Sequence, residues 1–272
     1  MQKDINYLDL DPNQSQPVKS NWQTKLKKIP FKVLVEDNPF TQGLYKVLPR
    51  KIFAPIMYEL YIKVQTLGSR NLVKRYSQAN DLLINLGAGE RGKPGWVNVD
   101  VGPWPSLNCV WDCRNGLPFP DNSVKGIFCE HFLEHLDYKE EAPAFLAECK
   151  RVLKVGGVIR IIVPDAEKYL HAYCKEGWEE LCQTRPLNSE HVDFHFGDKY
   201  TTKMEVVNAV FRQGFEHKFA YDYTTLELLL NKSGFSSVQR QDFGKSLMDE
   251  LCIDLQFRAS ESLYVEAVKG SD

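Results

Sequence analysis

The chain contains six histidines, His131, His135, His171, His191, His195 and His217, and none precedes residue 131. Imidazole titrates near neutral pH, so this is the part of the chain best equipped to move protons. The run Cys129-Glu130-His131-Phe132-Leu133-Glu134-His135 packs two imidazoles and two carboxylates close together. Its His131-x-x-Glu134-His135 letters match a zinc-protease motif, but that motif needs a long active-site helix and a further carboxylate ligand, and the surrounding pattern supplies neither. A different chemistry is written upstream, in Asn85-Leu86-Gly87-Ala88-Gly89-Glu90-Arg91-Gly92 and then Asp100. Glycines at the end of a strand turn the backbone tightly and let a ligand approach the main chain, and an acid closing the next strand can accept both hydroxyls of a ribose. A third acid, Asp112, follows with Cys113. Gly87-x-Gly89-x-x-Gly92 fits the dinucleotide fingerprint letter by letter, yet Lys93-Pro94-Gly95 leaves little room for the helix that should receive a pyrophosphate. A nicotinamide cofactor is therefore not expected.

These residues need elements to hold them. From Asp81 onward, short apolar runs alternate with helical stretches and Gly, Asp and Pro punctuation, the texture of a βαβ series. Strands are predicted at 82–86, 96–100, 108–112, 124–129 and 158–163, with a closing pair at 236–243 and 262–268. Their near-continuous Val, Ile and Leu content suits a parallel sheet covered on both faces. Helices are predicted at 138–153, stopped by Gly156-Gly157, and at 223–232. Asp165 is placed to cap a helix, and His217 to fix a loop through Asp222. The organisation reads as a flexible lead-in over 1–20, a basic helical extension over 21–78 and one α/β domain over 79–272. Within the extension, apolar residues between 40 and 76, broken by Pro49 and Pro55, predict two short amphipathic helices.

Charge divides the chain unevenly. Residues 1–75 hold 13 Lys and Arg against 6 Asp and Glu, and residues 76–272 hold 21 against 30. A basic front end can dock on the acidic body behind it, or residues 19–75 can meet an anionic surface or nucleic acid. No apolar run is long enough for a transmembrane helix, and the polar, acidic start lacks the layout of a signal peptide, so a cytoplasmic location is expected. The seven cysteines are odd in number and scattered, which predicts reduced thiols used mainly for packing.

The series Gly87-Ala88-Gly89, Asp100, Asp112, Leu117-Pro118-Phe119, Leu133-Glu134-His135 and Leu153-Lys154-Val155-Gly156-Gly157 resembles class I S-adenosylmethionine (SAM)-dependent methyltransferases. The likeness is to the small-molecule type related to ubiquinone-pathway enzymes. Asn208-Ala209-Val210-Phe211, His217-Lys218-Phe219 and Tyr221-Asp222 resemble a bacterial group of predicted methyltransferases. The resemblance implies a Rossmann-like, doubly wound, mostly parallel seven-stranded sheet of order 3-2-1-4-5-7-6. It implies SAM as cofactor, with Gly87, Ala88 and Gly89 facing its methionine part, Asp100 its ribose, and Asp112 with Cys113 its adenine. Glu130 is counted among the cofactor contacts, as is Asn85, which stands where relatives carry Asp or Glu near the donor's amino group. The acceptor side falls to His131, Glu134, His135 and His217 as acid/base candidates. Some relatives hold a divalent ion with Glu-x-x-Glu-His at this place; His131 replaces the first Glu, and no metal is assigned. The implied activity is in-line methyl transfer to oxygen or nitrogen of a small metabolite or glycan intermediate. Two alternatives stay open: methylation of RNA or protein recruited by the basic front end, and a SAM-binding module without catalysis.

Overall fold

A computed structural model describes residues 50–67, 69–102 and 104–271. The predicted lead-in, and the extension as far as residue 49, lie outside the described residues. Two helices come first, α1 (Arg50–Gln65) and α2 (Arg70–Tyr76). The strands are β1 (Leu82–Leu86), β2 (Val97–Asp100), β3 (Cys109–Val110), β4 (Val124–Glu130) and β5 (Leu153–Pro164), with α3 (Glu141–Val152) between β4 and β5. Helices α4 (Ala166–Cys174), α5 (Glu179–Thr184), α6 (Lys203–Arg212) and α7 (Tyr223–Lys232) follow, and β6 (Ser236–Gln241) and β7 (Ser262–Val268) close the chain.

The strands form one seven-stranded sheet in the order β3-β2-β1-β4-β5-β7-β6. Pairing is parallel from β3 to β5, and β7 runs antiparallel to both of its neighbours. This is the order the resemblance implied. The third strand is shorter than its predicted span, and β5 begins directly where α3 ends, earlier than its apolar run suggested. On α3, Ala142, Phe145, Leu146, Cys149 and Val152 recur at helical spacing and are buried against one face of the sheet, beside Leu226, Leu229 and Leu230 of α7.

The connections on either side of β2 contain no helix among the described residues. Side-chain amides organise the first of them. Asn98 accepts from the Lys93 amide at 2.7 Å and donates to the Lys93 carbonyl at 2.9 Å, and Asn108 accepts from the Asn98 amide at 2.7 Å. The opposite face of the sheet, where Phe128, Val158, Ile162 and Tyr264 point, is covered by the segment after β6 through Phe243, Met248, Leu251 and Ile253. That segment is clasped from inside by Arg160 on β5. Its fully buried guanidinium pairs with Asp254 at 2.5 and 2.8 Å and with Glu266 at 2.9 Å, and donates to the Lys245 carbonyl at 2.7 Å.

A smaller cluster, built from Tyr169, Ala172, Leu181, Val206 and Val210, joins α4, α5 and α6. Asp165 caps α4 as expected, accepting from the amides of Glu167 and Lys168. Thr202 and Glu205 form a capping box at the start of α6.

Candidate active site

The sheet presents two loops side by side at the carboxyl ends of β1 and β4, which are paired from Leu82 to Cys129. In the first, the amides of Gly87 and Ala88 both donate to the Val99 carbonyl, at 3.0 and 3.1 Å. Gly87 and Gly89 take φ of 71° and 52°, a region that penalises a Cβ. The two glycines do different jobs. A Cβ on Gly87 would lie 2.6 Å from Cβ of Phe132, so that position lets Phe132 close over the turn, whereas a Cβ on Gly89 would meet nothing within 4 Å. Gly89 therefore faces open space among the described residues. Its amide donates at 2.8 Å to Oδ2 of Asp100, whose Oδ1 accepts from the amides of Val101 and Gly102. Burial raises the Asp100 carboxyl despite these bonds. Each carboxylate oxygen has two lone-pair sites, so Oδ2 keeps one for a ligand hydroxyl.

The other expected cofactor contacts are spent elsewhere. Asp112 accepts from the backbone, Nε and a terminal nitrogen of Arg114 and from the Asn115 amide, four donors for its four lone-pair sites. The Cys113 thiol is buried in the core. The adenine expectation is thus not carried by these two side chains. Asn85 is buried on β1 and donates to Asn98, its partner on β2, at 3.4 Å. Glu130 turns to the opposite face, where its Oε1 accepts from the Leu255 amide at 3.4 Å, and burial pushes its carboxyl up to about 7.

The second loop begins with a non-glycine residue in the left-handed region, His131 at φ 51°. That bend sends Phe132 over Gly87 and leads into a single 3-10 turn, Leu133–His135. His131 is not free for acid/base work. Its Nδ1 lies 3.1 Å from an Arg258 terminal nitrogen, which can only donate, so Nε2 carries the proton and gives it to Ser262 Oγ at 3.0 Å. Burial, with Arg258 beside it, lowers its pKa to about 3, so the ring is neutral. The same Nδ1 also lies 3.3 Å from Oε1 of Glu134, so His131 stands between the Arg258 and Glu134 side chains. Sequence spacing missed its partners, because Arg258, Glu261 and Ser262 return from the far end of the chain.

The structure brings Glu134, His135 and His217 together. The backbone carbonyl of Glu134 accepts from the amides of Lys218 and Phe219, at 2.8 and 3.3 Å, fixing the return after α6 against the 3-10 turn. Tyr138 stacks on Phe219 with ring centroids 4.2 Å apart. The His135 and His217 rings meet edge to face at 4.7 Å. His217 does not reach Asp222, which caps α7 instead. Its Nδ1 donates to the Val210 carbonyl at 2.6 Å, which leaves Nε2 unprotonated and 4.0 Å from Oε1 of Glu134. Burial disfavours the charged form of all three groups, raising Glu134 and lowering both histidines.

Helix α1 lies near both loops. Glu59 receives two hydrogen bonds from Arg114, at 2.7 and 3.0 Å. Burial, and then the carboxylates of Asp100 and Glu216, push the Tyr58 phenol up to about 12.

A family model described as a methyltransferase domain matches residues 104–161, the stretch from the approach to β3 into β5. The match covers under a quarter of the chain, and it falls on the parallel part of the seven-stranded sheet. No curated protein matches the chain. Among solved structures, this chain is similar to a SAM-dependent methyltransferase from Archaeoglobus fulgidus, with 17% identity over 75% of this chain and 94% of that one and a TM-score of 0.42. A second likeness is to a SAM-dependent methyltransferase from Thermotoga maritima, with 14% identity, coverage of 81% and 97%, and a TM-score of 0.41. A third is to phosphoethanolamine N-methyltransferase 2 of Haemonchus contortus in complex with S-adenosyl-L-methionine, with 12% identity and a TM-score of 0.39; 75% of this chain aligns with 52% of that one. The chain thus spans about half the length of that last enzyme. The open space at Gly89 lies beside the Asp100 carboxylate.

Proposed function

We propose that this chain is a methyltransferase that moves the methyl group of SAM to an oxygen or nitrogen of a small metabolite or glycan intermediate. The observation that carries the reading is the crevice at Gly89, where a turn held open by two left-handed glycines meets a carboxylate with acceptor capacity to spare. The main chain of Gly87, Ala88 and Gly89 would hold the donor's methionine end, and Asp100 its ribose. The donor supplies an electrophilic methyl on a positively charged sulfur. The protein's own contribution is then alignment and exclusion of water, and no covalent intermediate is needed. Phe132, packed on Gly87 and on Phe145 at a centroid distance of 5.3 Å, shields the turn from solvent. In this reading, Nε2 of His217, left unprotonated by the Val210 contact, and Glu134 would take the proton an acceptor hydroxyl or amine gives up.

The Glu59–Arg114 pair ties α1 to the turn after β3. No described helix is long and apolar enough to cross a membrane, and seven unpaired cysteines fit a reducing, cytoplasmic setting. The test is incubation of the purified protein with methyl-labelled SAM and a cell extract, then separation into metabolite, lipid, protein and RNA pools. Label is expected in the metabolite or glycan-precursor pool. Label confined to RNA or protein would overturn the small-acceptor reading, and no transfer to any pool would favour a donor-binding module.

A further inference from the structure

Helix α1 has two faces that differ in what they meet. Tyr61, Ile62 and Gln65 are buried on its inner side, and Glu59 ties the helix to Arg114. On the outer side Ile56 and Leu60 are 59% and 51% exposed, and the exposed Lys63 follows three positions on. At about 100° per residue these three positions fall within an arc of about 60°, opposite the buried side chains. Just past the end of α1, Leu67 is half exposed; on α2, Val73 is 52% exposed while Leu72 and Tyr76 pack on the core. Ser69 pins the turn between the two helices by donating to the Val110 carbonyl at 2.7 Å. Single exposed apolar side chains are ordinary, but a row of them along one helix face marks a contact surface.

The same stretch is strongly basic. Residues 50–76 hold six Lys and Arg (Arg50, Lys51, Lys63, Arg70, Lys74 and Arg75) against a single acid, Glu59, which is paired with Arg114. Among the described residues Lys63 and Lys74 have no acid partner, and Arg75 lies over the Tyr76 ring instead. The positive charge is therefore not spent on the acidic body behind it. That charge selects among occupants. A second copy would set six cations against six across a symmetric interface, where like charges repel. Residues 1–49 hold seven Lys against five Asp and Glu, so they are basic as well. A nucleic acid would meet the cations through its phosphates but has no use for outward Ile, Leu and Val. An anionic bilayer surface takes both, its headgroups meeting Lys and Arg and the acyl boundary beneath meeting the apolar row.

We propose that α1 and α2 dock this face on an anionic lipid surface, to which the chain binds as a peripheral protein. The inner contacts of α1 orient it for that role. Glu59 and Arg114 set the helix against the turn that follows β3, at the carboxyl edge of the sheet where the glycine turn and Asp100 also stand. Only the thickness of one helix, about 10 Å, then separates that edge from the headgroups. The inference goes beyond the methyltransferase reading and does not depend on it.

Lipid binding can be measured without donor or acceptor. The full chain is mixed with vesicles of phosphatidylcholine alone, or of equal parts phosphatidylcholine and phosphatidylglycerol, and the bound fraction is read by flotation. Binding at least about tenfold stronger to the mixed vesicles is expected, falling as salt rises because the charges are exposed. Ile56→Gln with Leu60→Gln removes apolar surface without changing charge and is expected to weaken binding at least about tenfold. Lys63→Gln with Lys74→Gln is expected to weaken it several-fold and to flatten the salt dependence. Circular dichroism checks that each variant keeps its helices; if one fails to fold, the lipid and salt dependence of the native chain decides. No wild-type binding to the mixed vesicles at low salt would overturn the proposal. So would full binding by the apolar variant, which marks a purely electrostatic contact. Two controls cover the rival occupants. Wild-type binding to a duplex RNA that is tighter than to the mixed vesicles and unchanged in the apolar variant, or a dimer in light scattering that this variant breaks, would also overturn it.

Discussion

Two acids that close strands of this sheet are both raised by burial, yet they meet different partners. Asp100 closes β2 among backbone amides, whereas Glu130 closes β4 on the other face with one long hydrogen bond from Leu255 and a carboxyl raised from 4.5 to about 7. A raised acid favours the folded state fully below its unfolded pKa, and that advantage is lost as pH rises through the folded value. Wild-type stability should therefore carry a component that declines between about pH 4.5 and pH 7, worth no more than about 3 kcal/mol. Glu130→Gln keeps an acceptor for the Leu255 amide and removes the titration. The stability of the variant relative to wild type, from urea melts, is expected to rise from pH 5 to pH 8. A difference that stays flat across that range would place Glu130 in a more solvated setting than the structure shows.

The Arg160 clasp does, at the level of elements, what a helix does elsewhere in the sheet. Because the connections around β2 lack helices, one face depends on the irregular segment 242–258, and that segment depends on a buried cation. Arg160→Met would leave Asp254 and Glu266 buried without their partner, and a loss of about 3–5 kcal/mol is expected in chemical denaturation. Hydrogen exchange should rise first in 242–258. Replacing Arg160, Asp254 and Glu266 together by apolar residues should recover most of the loss, and failure to do so would show that the charges do more than pair. The apolar runs of β1, β4, β5 and β7 and the face of α3 were legible in the sequence because burial on a regular element imposes a period. The glycine turn, Asp100 and the Glu134-His135 pair were legible because their chemistry is local. The clasp was not, since nothing in the spacing of Arg160, Asp254 and Glu266 announces a contact. The same holds for Arg258 and Ser262 against His131, and for Glu59 against the Arg114 that saturates Asp112.

Across the whole molecule, three remote parts meet at the ends of β1 and β4. Helix α1 brings Glu59 and Tyr58, the return after α6 brings His217, and the segment before β7 brings Arg258. The sheet order puts the glycine turn next to the 3-10 turn, so a donor held in one lies beside the proton-accepting groups of the other. Everything proposed about function depends on the crevice between them taking an adenosyl ligand. The most direct measurement is calorimetric titration of S-adenosylhomocysteine into the full chain and into Asp100→Ala, with circular dichroism confirming that the variant is folded. One equivalent should bind to the wild type, with an affinity reduced at least about tenfold in the variant, as expected for loss of a charged hydrogen bond. No binding to the wild type, or equal affinity in both, would contradict the account.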